Sequence, residues 1–71
     1  MNNLFDPPKT VELQLVGLDA NAFVLMGAFQ RAARQQGWTE EDIKVVLDEC
    51  MSSDYVHLLQ TLIAHIESPE E

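Results

Sequence analysis

The sequence contains few basic residues and a single cysteine. Only four of its 71 residues are lysine or arginine, against twelve aspartates and glutamates, so the formal net charge at pH 7 is −8. This excess of negative charge repels phosphate groups, which argues against binding to nucleic acid or to an anionic membrane. One cysteine, Cys50, excludes an intrachain disulfide and fits a reducing compartment. Its position on the apolar face of a predicted helix indicates a buried structural thiol.

Long apolar runs, a secretion signal and clusters of metal ligands are also missing. No apolar stretch reaches the ~18 residues that span a bilayer, and the N-terminus lacks the basic start of a signal peptide. These absences predict a cytoplasmic protein with no membrane partner. His57, His65 and Cys50 are too few for a four-ligand structural zinc site, and both histidines are expected at the surface or beside an apolar stripe. We predict no metal, no cofactor and no catalytic residue.

Residues 11–16 alternate in a pattern that predicts a short β-strand. Val11, Leu13 and Leu15 are expected on the face towards the core. No second strand is evident elsewhere in the sequence, and an unpaired strand leaves its backbone donors and acceptors exposed. Such a strand must pair with a second copy, pair with a partner, or lie as an irregular arm across the helices. We predict the first, antiparallel pairing with the same strand of a second copy in a homodimer.

Three helical patterns follow the strand. The first is expected over residues 20–36, with Asp19 as its N-cap and Gly37 as the left-handed residue after its end. Thr39 is expected to cap the second helix, and residues 52–53 to cap the third. The apolar stripe of the third helix is predicted to occupy one face, made of Tyr55, Leu58, Leu59, Leu62, Ile63 and Ile66.

The predicted fold class is mainly α, with one N-terminal β-strand followed by a three-helix domain. This single domain is expected to span residues 11–67. Residues 1–10 are predicted to form a flexible arm, because two consecutive prolines favour an extended conformation. Residues 68–71 are predicted to be a frayed acidic tail.

The first helix differs from the other two because eight apolar residues follow one another from Ala22 to Phe29. A helix that is apolar on all sides is normally buried on all sides, and two amphipathic helices cannot easily enclose it. Its free face is therefore expected to meet a second copy or a target, with tight packing inside one subunit as the alternative. The predicted dimer interface comprises Val11, Leu13, Leu15, Phe23, Gly27 and Ala28.

The second helix carries most of the acidic residues of the chain. Glu40, Glu41, Asp48 and Glu49 are expected to present a carboxylate surface that attracts a basic protein partner. The alternative is that these carboxylates only keep one face of the helix solvated.

A second hypothesis comes from the order of the elements. A strand followed by helices resembles the layout of ribbon-helix-helix regulators, in which two strands pair across a dimer and enter the major groove of DNA. Gln14 is then a candidate reader of adenine, whereas Glu12 beside it is unfavourable next to phosphate. A DNA-binding regulator is therefore the alternative function, and the acidic surface argues against it.

Two patterns carry a resemblance to a known group of proteins. Asp-x-Asn-Ala-Phe at residues 19–23 and Ser-Asp-Tyr-x-His-Leu-Leu-Gln at residues 53–60 resemble small uncharacterised reading frames of bacteriophages and mobile elements, over about residues 11–66. That group has no established activity, so the resemblance implies no site residues. It implies a small accessory protein acting inside a bacterial cell by contact with a host or phage component. The predicted function is accordingly non-enzymatic protein–protein interaction.

Overall fold

The computed structural model describes residues 2–67, which fold into three helices and one pair of very short strands. The mainly α fold with an N-terminal strand is confirmed, and the predicted tail at residues 68–71 lies outside the described residues. In chain order the elements are β1 (Val11–Glu12), α1 (Ala22–Gln35), α2 (Glu40–Cys50), α3 (Tyr55–Ala64) and β2 (Ile66–Glu67).

Strand β1 has a partner within its own chain. It pairs in parallel with β2, so that Val11 lies opposite Ile66 and Glu12 lies opposite Glu67. The Val11 N–H donates to the His65 carbonyl at 3.0 Å. The prediction that the strand has no mate in this chain is therefore wrong. The mate was missed because β2 is two residues long and directly follows a helical pattern, so it has no alternation of its own.

The outer edge of β1 is occupied by a side chain. The Gln36 carboxamide accepts from the Glu12 N–H through Oε1 and donates to the Glu12 carbonyl through Nε2, both at 2.9 Å. It thus occupies the two backbone positions at which a further strand would bind. Pairing of β1 across a homodimer would first have to displace Gln36. The homodimer itself stays a prediction.

Helix α1 begins two residues later than its sequence pattern predicts. Asn21 is its N-cap, with Oδ1 accepting from the Phe23 N–H at 2.8 Å. Asp19 accepts from the Asn21 N–H at 2.9 Å and so stabilises the turn before the helix. The prediction of Asp19 as the N-cap is wrong because a second capping residue lies closer to the first helical turn.

The C-terminal end of α1 is a Schellman motif, as Gly37 predicts. Gly37 has φ +93, its N–H donates to the Arg34 carbonyl, and the Trp38 N–H donates to the Ala33 carbonyl at 2.9 Å. The Trp38 ring then packs edge-to-face against Phe29, with 5.5 Å between ring centroids. The predicted left-handed glycine is confirmed.

The other two helices are capped by side chains from their preceding turns. Thr39 caps α2 by accepting from the Asp42 N–H at 3.2 Å, which confirms that prediction. Asp54, and not Ser52 or Ser53, caps α3 by accepting from the His57 N–H at 3.0 Å. Ser52 instead donates to the Glu49 carbonyl at 2.8 Å and completes the end of α2.

The core lies where the three helices meet, and α1 contributes only one side to it. Phe29 and Ala33 are fully buried, whereas Phe23 is 78% exposed. Phe23 therefore belongs to the face of α1 that the other two helices leave uncovered, and the covering of this face by a second copy or a target stays a prediction. The buried apolar residues form one cluster, which includes Val11, Leu25, Met26, Phe29, Ala32, Ala33, Ile43, Val46, Cys50, Leu58 and Leu62.

Residues 2–10, for which the sequence predicts an arm, lie against this core. The Phe5 ring packs edge-to-face on Trp38 and on His65, at centroid distances of 5.5 and 5.8 Å. His65 is fully buried, with Nδ1 hydrogen-bonded to the Thr61 carbonyl at 2.7 Å and Nε2 accepting from the Leu4 N–H at 3.0 Å. The expectation of a surface position is wrong for this histidine.

Candidate functional site

An apolar groove lies between the N-terminal turn of α1 and the corner that joins α2 to α3. Its volume is about 280 Å³. Met26, Cys50 and Leu58 are buried and form its floor, whereas Phe23 and Met51 are exposed at its rim. An exposed phenylalanine and an exposed methionine beside one cavity constitute a surface that gains free energy when it is covered.

The groove is shaped by hydrogen bonds at the starts of two helices, α1 and α3. Asn21 fixes the first turn of α1 and Asp54 fixes the first turn of α3, as described above. The Tyr55 hydroxyl, which also lines the groove, donates to the Ala20 carbonyl and so joins the start of α3 to the turn before α1. The rim residue Phe23 therefore projects from backbone that these hydrogen bonds hold in place. The other rim residue, Met51, ends α2, and its N–H donates to the Leu47 carbonyl at 3.2 Å.

Cys50 supplies a thiol to the groove floor, but this thiol is not prepared for nucleophilic chemistry. Burial, reinforced by the nearby Glu49 carboxylate, raises the pKa of Cys50 to about 11. The thiol is therefore protonated at neutral pH, whereas a nucleophilic cysteine needs a stabilised thiolate. Across residues 2–67, no group of three or more histidines, cysteines or carboxylates is arranged to hold a metal ion.

Three of the four basic residues form ion pairs with carboxylates of the same chain. Lys9 pairs with Asp42, Arg34 pairs with Glu40, and Lys44 pairs with Asp48 at 2.8 Å. The Arg34 hydrogen bond lowers the pKa of the Glu40 carboxyl, and the Asp48 hydrogen bond raises the pKa of Lys44.

The four residues of the predicted acidic partner surface are therefore not equivalent. Glu40 and Asp48 are paired with basic side chains, and Glu49 lies 2.7 Å from His57 Nε2. Glu41 is exposed on the first turn of α2. All four lie on α2, and three of them contact a basic side chain or a histidine of the same chain.

The six residues of the predicted dimer interface differ in how far they are buried. Val11 and Ala28 are buried in the core of the subunit, and Leu13 and Leu15 pack against that core. Gly27 is partly buried, and Phe23 is the member that remains widely exposed. Phe23 is thus the only residue of this predicted set that the groove also contains.

Sequence reasoning missed the groove because it depends on how helix ends meet. The eight-residue apolar run identifies Phe23 as unusual. Met51, in contrast, is expected on the apolar face of the second helix, together with Ile43, Val46, Leu47 and Cys50. Nothing in either local pattern indicates that the two side chains border one cavity.

The ribbon-helix-helix hypothesis depends on a strand that is free to pair with a second copy. Here β1 pairs in parallel with β2 of the same chain, and Gln36 holds its other edge. Gln14 is exposed, but it lies beyond the two residues that form β1. The observed strand therefore gives this hypothesis no support.

No family model, no curated protein and no solved structure matches this chain. The resemblance to reading frames of bacteriophages and mobile elements accordingly stays a prediction. Within the described part of the chain, no helix combines the length and the apolar character that crossing a bilayer requires.

Proposed function

We propose that this protein is a non-enzymatic binding module whose groove between α1 and the α2–α3 corner takes an amphipathic helix with basic flanks from a partner protein. The observation that carries the proposal is the exposed rim of Phe23 and Met51 above a buried apolar floor. Such a surface is unfavourable in water and becomes favourable on binding.

The size of the groove favours side chains of a protein partner over a cofactor. Pockets for drug-sized ligands and cofactors span ~300–1,000 Å³, and this groove, at about 280 Å³, is at the lower limit. Its walls are helix ends, and grooves of this kind receive apolar residues spaced along one face of a partner helix. We infer that one or two large apolar side chains of the partner anchor it.

The charge of the protein favours a basic flank on that helix. The net charge is −8, and the pairing of Lys9, Arg34 and Lys44 with carboxylates leaves the remaining acid in excess. Asp54 lines the groove and is exposed. Complementary charge at a rim accelerates association and rejects partners of the same sign.

The cellular setting is part of the proposal. A single buried cysteine is suited to a reducing compartment, and the resemblance to phage and mobile-element reading frames implies a bacterial host. We propose that the module acts in the host cytoplasm as an accessory protein.

The proposal is tested with two synthetic peptides that share one leucine face and differ in carrying either lysine or glutamate on the other. Fluorescence anisotropy should detect binding of the lysine peptide and none of the glutamate peptide. Phe23→Ser should weaken binding of the lysine peptide at least about tenfold, because the variant loses the apolar area that a phenylalanine buries.

Val16→Ser is the matched control, since Val16 is 83% exposed and lies outside the groove. It should bind the lysine peptide as the unmodified protein does. Equal affinities of the Phe23→Ser and Val16→Ser variants would mean that the peptide is held by charge alone and would remove the proposed groove function.

A further inference from the structure

Helix α3 is distinguished by its lack of charge. No aspartate, glutamate, lysine or arginine occurs between Tyr55 and Ala64, whereas α2 carries six charged residues in eleven positions. In a protein with a net charge of −8, α3 is thus a surface that a second copy of the chain can approach with the least electrostatic repulsion.

The outward face of α3 is apolar as well as uncharged. Val56 is 60% exposed and Ile63 is 62% exposed, and Leu59 lies half-buried between them. The spacings between these residues, three and four, are the same as those between successive a and d positions of a heptad. The adjoining side of the helix is buried through Leu58 and Leu62, so the core covers only part of the apolar surface of α3.

The structure therefore divides the stripe that the sequence predicts as one face of this helix. Leu58 and Leu62 belong to the core, whereas Ile63 faces solvent. Within the described residues, the core leaves Val56 and Ile63 of this apolar surface exposed, and a second surface that covers them would remove that area from water.

We propose that the outward face of α3 packs antiparallel against α3 of a second copy. A two-fold axis between residues 59 and 60 places Val56 of each copy against Ile63 of the other and brings the two Leu59 side chains to the centre. This isologous arrangement covers the outward apolar face of α3 in both copies with a single contact.

The charge distribution decides between a second copy and the basic helix proposed for the groove. A basic partner gains most where carboxylates surround the apolar contact, whereas α3 itself contains none, and the Glu49 carboxylate of α2 that reaches it lies 2.7 Å from His57 Nε2. A second acidic copy gains most where carboxylates are absent. The self-contact uses neither Phe23 nor Met51, so it is independent of the proposed groove function.

Sedimentation equilibrium over a range of protein concentrations tests the contact. The mass of the unmodified protein should rise from 8.0 kDa towards twice that value as concentration increases. Added salt should shift the transition to lower concentration, because it screens the repulsion between two chains of charge −8. A mass that stays at 8.0 kDa at every concentration and salt level would overturn the proposal.

Ile63→Glu should abolish the increase in mass, since it sets a carboxylate against Val56 of the second copy in an apolar contact. Val16→Glu is the matched control, because it adds the same charge at a more exposed position and should still dimerise. Equal association of both variants would overturn the proposed surface. Circular dichroism establishes that each variant has the helical content of the unmodified protein.

A crosslinking experiment tests the orientation and does not depend on the fold of the glutamate variant. Val56→Cys and Ile63→Cys proteins, mixed and treated with oxidised glutathione, should form predominantly the mixed disulfide. The native thiol of Cys50 is buried and should not take part. Predominant pairing of each variant with itself would overturn the antiparallel arrangement.

Discussion

Cys50 illustrates how burial determines the chemistry of a single side chain. The cysteine lies at the last turn of α2 and beneath the groove, where solvation of a thiolate is poor. Its predicted role as a structural thiol agrees with its burial. The same burial that makes Cys50 a poor nucleophile also makes the free energy of unfolding depend on whether its thiol is protonated.

We expect this linkage to appear at alkaline pH. The pKa of Cys50 rises from its ordinary value of 9.0 to about 11 in the folded protein, so the native state holds the proton more tightly than the unfolded state does. The resulting stabilisation is complete below pH 9 and is lost as pH rises towards 11. Urea unfolding between pH 8 and pH 11 measures it.

Cys50→Ala is the control that isolates this effect. The variant should be less stable at pH 8 because it leaves space in the core, but its free energy of unfolding should fall less between pH 9 and pH 11. Parallel pH profiles of the two proteins would show that Cys50 does not titrate abnormally.

His65 marks the limit of what a residue's neighbours in sequence can indicate. The position of Cys50 is predictable because its apolar companions recur along the same helix. In its buried position, His65 accepts a hydrogen bond from the backbone N–H of Leu4, which is 61 positions away in the chain. No local pattern indicates such a contact, and sequence alone therefore predicts a position at the surface or beside the apolar stripe.

At the scale of the element, Gly27 and Gly37 offer opposite predictions for the same substitution. Gly27 lies inside α1 and Gly37 follows its end with φ +93, and an added Cβ meets no atom within 4 Å at either position. Gly27→Ala should stabilise the protein by roughly 0.5–1 kcal/mol, since alanine favours the helix. Gly37→Ala should destabilise it by roughly 1–2 kcal/mol, since a Cβ is strained in the left-handed region.

Thermal and urea unfolding of both variants measure the two changes. Each substitution serves as the control for the other, because both add one methyl group to open space. A loss of stability from Gly27→Ala would indicate that α1 needs close approach at Gly27. An unchanged stability for Gly37→Ala would mean that the Schellman motif does not fix the end of α1.

The caps show why some helix ends were predictable and others were not. Thr39 and Gly37 are isolated signals within a few residues of the ends they define, and both predictions are confirmed. At the starts of α1 and α3 several capping residues stand close together, namely Asp19, Asn21, Ser52, Ser53 and Asp54. N-cap propensity does not distinguish among these adjacent residues, because aspartate, asparagine and serine are all favoured at the N-cap.

At the scale of the whole molecule, the fold brings the two ends of the described chain together. Strand β1 pairs with β2, and the Asn3 side chain donates to the Ala64 carbonyl at 3.0 Å. Such contacts join residues more than 50 positions apart. Periodicity describes one segment at a time, so it predicted the three helices and Val11 as core-facing, but not the partner of β1 or the residues that cover Trp38 and His65.

The N-terminal segment provides the clearest test of this difference between sequence and structure. A flexible arm contributes nothing to stability, whereas the observed segment covers Trp38 and His65 with Phe5. A domain of this size has roughly 4–10 kcal/mol of stability in total. Deleting residues 1–9 should therefore remove a large part of it, as measured by urea unfolding.

Two point variants distinguish the loss of Phe5 packing from the effect of shortening the chain in that experiment. Phe5→Ala should cost about 1–3 kcal/mol, because it uncovers apolar surface on Trp38 and leaves the half-buried phenylalanine site empty. Pro8→Ala, at an exposed position of the same segment, should change stability by less than about 0.5 kcal/mol. If the truncated protein and Phe5→Ala both unfold at the same urea concentration as the full chain, residues 2–9 form the arm that the sequence predicts and the core closes without them.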